Sequence, residues 1–352
     1  MTELARPRVL SGMRPTGRLH LGNYMGALAN WVKLQGGYEC YFFIADYHAL
    51  TTDYANTENL ARNTEEVALD WLGAGLDPEQ CVLFLQSAVP QHADLHLRFS
   101  MITPVSWLER VPTYKEQQEN LSEKDLSTYG FLGYPLLQAA DILLYQPQFV
   151  PVGQDQVVHV ELTREIARRF NQFYKLAERE VLPEPQVLLT PAPKLPGTDG
   201  RKMSKSYGNT IELTDPEATV RQKLKTMVTD PARVRRTDAG DPDVCPVGDL
   251  HKVFSTPERM REVYDGCRSA GIGCIQCKGW AADALVQILT PIQERRASFS
   301  AAQAMEILSA GSERARQRAE ETMSQVDEAM RMPKLNGAGR GTAEAQTAGV
   351  AR

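Results

Sequence analysis

Cysteine is scarce in this chain, six residues among 352, yet three of the six fall inside CRSAGIGCIQC, residues 267–277. Long apolar runs are missing too. The opening MTELARPRVLSG lacks the uninterrupted apolar core of a secretory signal, and no stretch approaches the roughly 20 apolar residues of a membrane span. We therefore expect no membrane partner and a cytoplasmic location. In that reducing compartment structural disulfides are rare, so the clustered thiols need another explanation. An excess of basic charge is also lacking. With 39 Lys and Arg against 44 Asp and Glu the net charge is −5, so nothing global marks a nucleic-acid binder. Basic residues do gather locally, at Arg233, Arg235 and Arg236 in ARVRR and at Arg295, Arg296, Arg314, Arg316 and Arg318. Solvated helix faces account for most such runs, but a local basic surface on an acidic protein can still position a polyanion.

What is present is an ordinary soluble composition, 42% apolar and 24% charged, on a chain long enough for one large domain and a smaller one. Apolar runs bounded by turn residues read as strands at Arg8–Ser11, Cys40–Ala45 and Val82–Gln86, with a later one at residues 187–191. Helical patterns at Tyr24–Leu34 and Asn59–Leu72 separate the early strands, which predicts βαβ units and a parallel sheet. From about Asp215 the texture becomes helical: Glu217–Thr226, Pro257–Ala270, Lys278–Phe299 and Ala301–Glu328. The expected organisation is an α/β unit over residues 1–214, a helical unit over 215–332, and a small, polar, disordered tail over 333–352. The last helices have room to pack back on the first unit.

Two stretches carry chemistry. SGMRPTGRLHLGNYMGAL, from Ser11, follows a strand, turns through Gly and Pro, and opens a helix at Gly22 and Asn23. Backbone N–H groups at a helix start beside a strand's carboxyl end make an anion site, to which His20 and Asn23 add side-chain donors. GRKMSKSYGN, residues 200–209, sets Lys202 and Lys205 among serines and flanking glycines. Such a loop neutralises phosphates and can close over a ligand.

HLGN and KMSKS together resemble the paired signatures of class I aminoacyl-tRNA synthetases. The block GYPLLQAADILLYQPQFVPVGQDQVVHVELTREIARRFN, residues 133–171, is similar to the tryptophanyl-tRNA synthetase family within that class, and the likeness runs from about Val9 to Phe299. The resemblance implies a Rossmann-type parallel-sheet catalytic domain followed by an all-helical anticodon-binding domain, and a homodimer. It also implies ATP-dependent activation of L-tryptophan, with Mg²⁺ accompanying ATP, and transfer of the tryptophanyl group to tRNA(Trp). Arg14, Pro15, Thr16, Gly22 and Asn23 are then expected at ATP, with Gly153, Gln154 and Asp155 (the last at the ribose), and with Leu195, Lys202, Met203, Ser204, Lys205 and Ser206. His20, Asn23, Lys202 and Lys205 are the expected catalytic groups. Asp141 is expected to accept the indole N–H, Tyr134 and Gln156 to hold the α-ammonium, and Val150, Val152, Gln138 and His48 to complete the tryptophan pocket. Asn23 stands where the signature's last histidine falls, Arg14 where many members have glutamine, Leu10 where a phenylalanine can line the pocket, and Gln138 where methionine is common. These departures bear on the shape of the indole pocket.

Cys40 and Cys81 lie in apolar strand patterns and read as packing residues. Cys245, Cys267, Cys274 and Cys277 follow a C-x21-C-x6-C-x2-C spacing in the helical region. Four clustered thiols in a cytosolic enzyme point to a metal, and the spacing alone leaves Zn²⁺ and an iron–sulfur cluster open. A bacterial subset of the family carries a [4Fe–4S] cluster on nearly this pattern, so the resemblance implies iron–sulfur, with Zn²⁺ as the alternative.

Overall fold

The structure, a computed structural model, describes residues 6–112, 114, 125–176, 179–190 and 193–333. The polar tail from residue 334 lies outside the described residues. Strands β1 (Arg8–Met13), β2 (Glu39–Ile44), β3 (Cys81–Leu85), β4 (Phe149–Val152) and β5 (Gln186–Leu189) form one parallel sheet in the order β3-β2-β1-β4-β5. The strand expected at residues 187–191 starts one residue earlier. β4 had registered only as a motif, because four residues containing Pro151 give no alternation to read. β1 and β2 pair along their whole length, whereas β1 meets β4 only at Val9↔Phe149. The two strands then part, which opens a crevice where the strand order reverses, the usual ligand position in a doubly wound sheet.

Helices that accompany the sheet include α1 (residues 21–34, π-helical over Tyr24–Leu28), α2 (Asp46–Asp53), α3 (Leu60–Ala74), α4 (Gln91–Ser100), α5 (Tyr134–Tyr145) and α6 (Val157–Phe173). Then come α7 (Glu217–Thr226), α8 (Pro246–Phe254), α9 (Pro257–Arg268), α10 (Cys274–Ala297) and α11 (Ala301–Ala329), and among the described residues no named strand follows β5. α10 begins four residues before the expected Lys278, so Cys274 and Cys277 sit in its first turn.

Each face of the sheet buries one apolar cluster, and the last helices enter both. On one face Trp31 stacks on Phe42 at 4.7 Å, in a cluster with Trp71, Leu289 and Leu308. On the other, Tyr41, Phe84 and Tyr145 pack with Ala315, Met323 and Val326 of α11. α11 also covers the β3 edge, a position that would otherwise expose unpaired backbone groups. Its Ser312 Oγ accepts the Leu85 N–H at 3.2 Å, and a Cβ at Gly311 would lie 1.8 Å from the Leu83 carbonyl oxygen. Only glycine permits that approach. Among the described residues, no helix is long and apolar enough to cross a membrane.

Candidate active site

The crevice above β1 and β4 is a cleft of about 1430 Å³. One end is built from the turn after β1. His20 is the N-cap of α1: its Nδ1 accepts the Gly22 N–H at 3.0 Å, while Asn23 Oδ1 accepts the His20 N–H at 3.1 Å. A Cβ at Gly22 would press into the imidazole, 2.8 Å from Cε1. Burial, with Lys205 adding to it, brings His20 down to about 4, in accord with an accepting Nδ1. The ring is therefore neutral at pH 7, and its N–H is assigned to Nε2. A pair of side-chain donors had been expected here. Instead, one ring nitrogen of His20 and the amide oxygen of Asn23 cap their own helix, leaving Nε2–H and the Asn23 NH₂ for a ligand.

The KMSKS loop is docked against this turn. The Leu21 N–H donates to the Ile211 carbonyl at 2.9 Å and the Leu213 N–H to the Leu19 carbonyl at 2.9 Å, so the strand-like TIEL run fixes one motif beside the other. Lys205 Nζ donates to the Thr16 carbonyl at 2.7 Å, and burial lowers its pKa. Lys202 is exposed at the cleft rim. Asn209, to which sequence reasoning assigns no role, is buried and holds the loop's shape: its Oδ1 takes the Ser204 N–H at 2.8 Å and its Nδ2 donates to Asp199 at 2.7 Å. Arg14 reaches from the β1 turn to Thr52 and to Asp53, 3.3 Å away, at the end of α2.

The other end has Asp141 at its floor, in the middle of apolar α5 and 1% exposed. Three donors surround the carboxylate. His48 Nε2 is 2.8 Å from Oδ2, while His92 Nδ1 at 2.6 Å and Gln86 Nε2 at 2.8 Å meet Oδ1. Burial alone would raise this carboxyl, but the hydrogen bonds and charges of His48 and His92 overcome it and bring it to about 2. Asp141 is thus an ionised acceptor, already held rather than waiting bare for a partner. His92, Gln86 and Tyr145, whose OH lies 2.9 Å from His92 Nε2, were not found from the sequence. A histidine in the first turn of a short amphipathic helix carries no sign of its partner across the fold.

Of the residues the sequence singled out, the cleft gathers Arg14, His20, Gly22, Asn23, His48, Tyr134, Gln138, Asp141, Val150, Val152, Gly153, Gln154, Asp155, Gln156, Leu195, Lys202, Met203 and Ser204. Leu10 lines it as well. Pro15, Thr16, Lys205 and Ser206 lie outside the lining of the cleft, Ser206 2.8 Å from Ser204 Oγ and Lys205 on Thr16.

The four C-terminal-half cysteines are neighbours. Burial pushes the Cys277 thiol up to about 12, with Cys245, Cys267 and Cys274 each adding to the rise and Arg233 opposing it. Arg233 Nη1 lies 3.6 Å from Cys267 Sγ, and His251 Nε2 lies 3.4 Å from Cys277 Sγ. Among the described residues, however, no three His, Cys, Asp or Glu side chains are gathered as a finished metal site. Cys40 and Cys81 are buried packing residues opposite each other on β2 and β3.

A fold with the Rossmann strand order, an HLGN helix start and a KMSKS loop in one cleft defines a class. The family model described as tRNA synthetases class I (W and Y) matches residues 2–290, and the chain belongs to that family. Within it the resemblance is to tryptophan enzymes. The chain is 52% identical to the tryptophan–tRNA ligase of Thermotoga maritima, over 92% of this chain and 99% of that one. It is 48% identical to that of Ralstonia nicotianae, over 92% and 98%. The structure of tryptophanyl-tRNA synthetase from Campylobacter jejuni, complexed with ADP and tryptophan, superposes with a TM-score of 0.82 at 33% identity, covering 92% of this chain and all of that one.

Proposed function

We propose that the chain is a tryptophan–tRNA ligase, which activates L-tryptophan with ATP and passes it to tRNA(Trp). The observation that carries this reading is a single cleft joining a phosphate-binding helix start and a lysine loop at one end to a buried, ionised acceptor at the other. The tryptophan carboxylate attacks the α-phosphate of MgATP, the bond to the β-phosphate oxygen breaks, and tryptophanyl-adenylate and pyrophosphate result. The protein positions the reactants and meets charge where it grows. His20 Nε2–H and the Asn23 amide face the triphosphate. Lys202 and Lys205 meet the departing pyrophosphate, Lys205 leaving Thr16 to do so. Arg14, Gly22, Met203, Ser204 and Ser206 join them around the phosphates, Pro15 and Thr16 shape the turn, Gly153, Gln154 and Asp155 take the ribose side, and Leu195 meets the adenine.

At the other end Asp141 Oδ2 accepts the indole N–H. Tyr134 and Gln156 hold the α-ammonium, and Val150, Val152, Gln138 and His48 enclose the ring. A phenylalanine side chain covers Asp141 Oδ2 without offering it an N–H, so the carboxylate gains no donor from that ligand, which penalises phenylalanine more than a lost apolar contact does.

Residues 1–214 carry this chemistry, while 215–332 read the anticodon, with exposed Val234, Arg235 and Arg236 as support for an RNA-facing loop. Three neighbouring cysteines that all oppose ionisation of Cys277 fit a positively charged group taking the place of the thiol protons. Cys245, Cys267, Cys274 and Cys277 would hold a [4Fe–4S] cluster, or Zn²⁺ in its place, and the group when bound clamps α8, α9 and α10 together. Exposed Leu97, Met101, Val105 and Tyr129 support a homodimer contact. The substrates place the enzyme in the cytoplasm.

ATP–pyrophosphate exchange with an amino-acid panel, followed by charging of tRNA(Trp), tests the reading. Exchange driven by tryptophan supports it; exchange driven by tyrosine, or none, sinks it. An iron and zinc count on anaerobically purified protein decides the cluster.

A further inference from the structure

Behind Asp141 lies a polar pair outside the cleft. His92, on α4, is 0% exposed and lines no part of the cleft. Its ring lies 5.9 Å from Phe43, 6.0 Å from Phe84 and 5.5 Å from Tyr145, centroid to centroid. In such apolar surroundings each polar atom needs a partner, and both ring nitrogens have one: Asp141 Oδ1 at 2.6 Å and the Tyr145 hydroxyl at 2.9 Å. Burial, with Asp141 and Tyr41 adding to it, raises the Tyr145 hydroxyl well above its ordinary value, so it remains a donor. Its proton points to Nε2, which assigns the ring N–H to Nδ1, facing the carboxylate. Oδ1 then receives His92 and Gln86, while Oδ2, beside cleft-lining His48, keeps a lone pair toward the ligand.

We propose that His92 and Tyr145 form a positioning relay that holds Asp141 aimed into the cleft and committed to accepting, so that recognition of a ring N–H depends on two residues that do not touch the amino acid. The proposal rests on Asp141 as the indole partner. A protonated carboxyl would offer an O–H that indole cannot use and a phenol oxygen can accept, and a rotated carboxylate would turn its acceptor away from the ring N–H. Loss of the relay therefore weakens tryptophan and relaxes exclusion of tyrosine. The groups facing the relay are His48 from α2, Gln86 just after β3, Asp141 from α5 and, one turn along α4, His96, with Tyr41 from β2 beside Tyr145.

The test is exchange kinetics between pH 5.5 and 9 on the wild type, His92→Leu, His92→Asn, Tyr145→Phe and Asp141→Asn. His92→Leu should raise the tryptophan KM about tenfold while kcat and the ATP KM stay within about twofold, and should move the acid limb of the tryptophan KM to higher pH. His92→Asn, whose amide replaces the Nδ1 donor, should recover most of the loss. Tyr145→Phe, which removes one oxygen and keeps the ring, should give about a threefold rise with the same shift of the limb, and it tests the relay even if His92→Leu does not fold. Unchanged KM and pH profile in both His92→Leu and Tyr145→Phe, beside a raised KM in Asp141→Asn, overturns the relay and leaves Asp141 in place. An unchanged KM in Asp141→Asn removes the indole reading, and the relay with it. A loss shared equally by kcat and the ATP KM marks general damage and also overturns the relay.

Discussion

At the end of the cleft where we place the indole, both oxygens of the Asp141 carboxylate are already bonded to protein donors. At the end where we place the nucleotide, the loop carrying Lys202 and Lys205 is bonded mainly to itself and to the turn after β1, with Lys202 at the cleft rim and Lys205 outside its lining. The difference follows from what each end must do. Discrimination between side chains requires an acceptor that cannot relax around the wrong ligand, hence a buried site with its partners in place. Charge that appears only as pyrophosphate leaves is met best by groups that can move to it, hence an exposed loop with glycines on both sides.

Substitutions at the two ends should therefore change different kinetic constants. The largest effect belongs to Asp141→Asn, which replaces the acceptor oxygen or turns an NH₂ toward two donors. We expect kcat/KM for tryptophan to fall about a hundredfold, mostly through KM, in the exchange assay. Lys202→Ala should lower kcat by a factor of about 30 while leaving the tryptophan KM within about threefold, because its interaction belongs to the transition state. Asn209→Ala should act in the same direction at about tenfold, since the loop loses its internal brace but keeps its lysines. A comparable change in tryptophan KM from either loop variant would break the contrast.

Acid should separate the ends by stability as well. His20 and His159 are held near 4 chiefly by burial, against an ordinary 6.5, so between those values the unfolded chain binds more protons than the folded one. Their contribution is complete above 6.5 and is lost as pH falls toward 4. Asp141 shifts down from 3.8 to about 2, so its contribution is complete above the higher figure and is lost only below it. Thermal melts from pH 7 to 2 should fall in two stages, and Asp141→Asn should remove the lower stage alone. The smallest effect on activation is expected from Cys277→Ser, remote from the cleft. It should leave exchange within about twofold of wild type and, on the proposal that the four cysteines hold iron–sulfur or zinc, lower the iron or zinc content and weaken tRNA charging.

How far the sequence could be read follows from locality. HLGN and KMSKS were legible because phosphate chemistry needs particular residues in an unbroken run. Asp141 stood out as an acid within the apolar PLLQAADILLY helix. The sheet's first three strands announced themselves by apolar runs between turns, but β4 was too short to do so. His92, Gln86 and Tyr145 were invisible for a different reason: their meeting depends on α4 and α5 packing across the end of β3. Asn209 closed the quoted motif, but its brace to Asp199 and Ser204 exists only in the folded loop. The cysteine spacing named four residues, and the fold adds Arg233 and His251 to their surroundings.

The claim that specificity is built in before the nucleotide arrives is tested most directly by calorimetric titration without ATP. L-Tryptophan should bind wild-type protein, L-tyrosine at least about a hundredfold more weakly, and Asp141→Asn should lose most of the tryptophan affinity. Tryptophan binding that appears only when ATP is present, or that is untouched by Asp141→Asn, would contradict it.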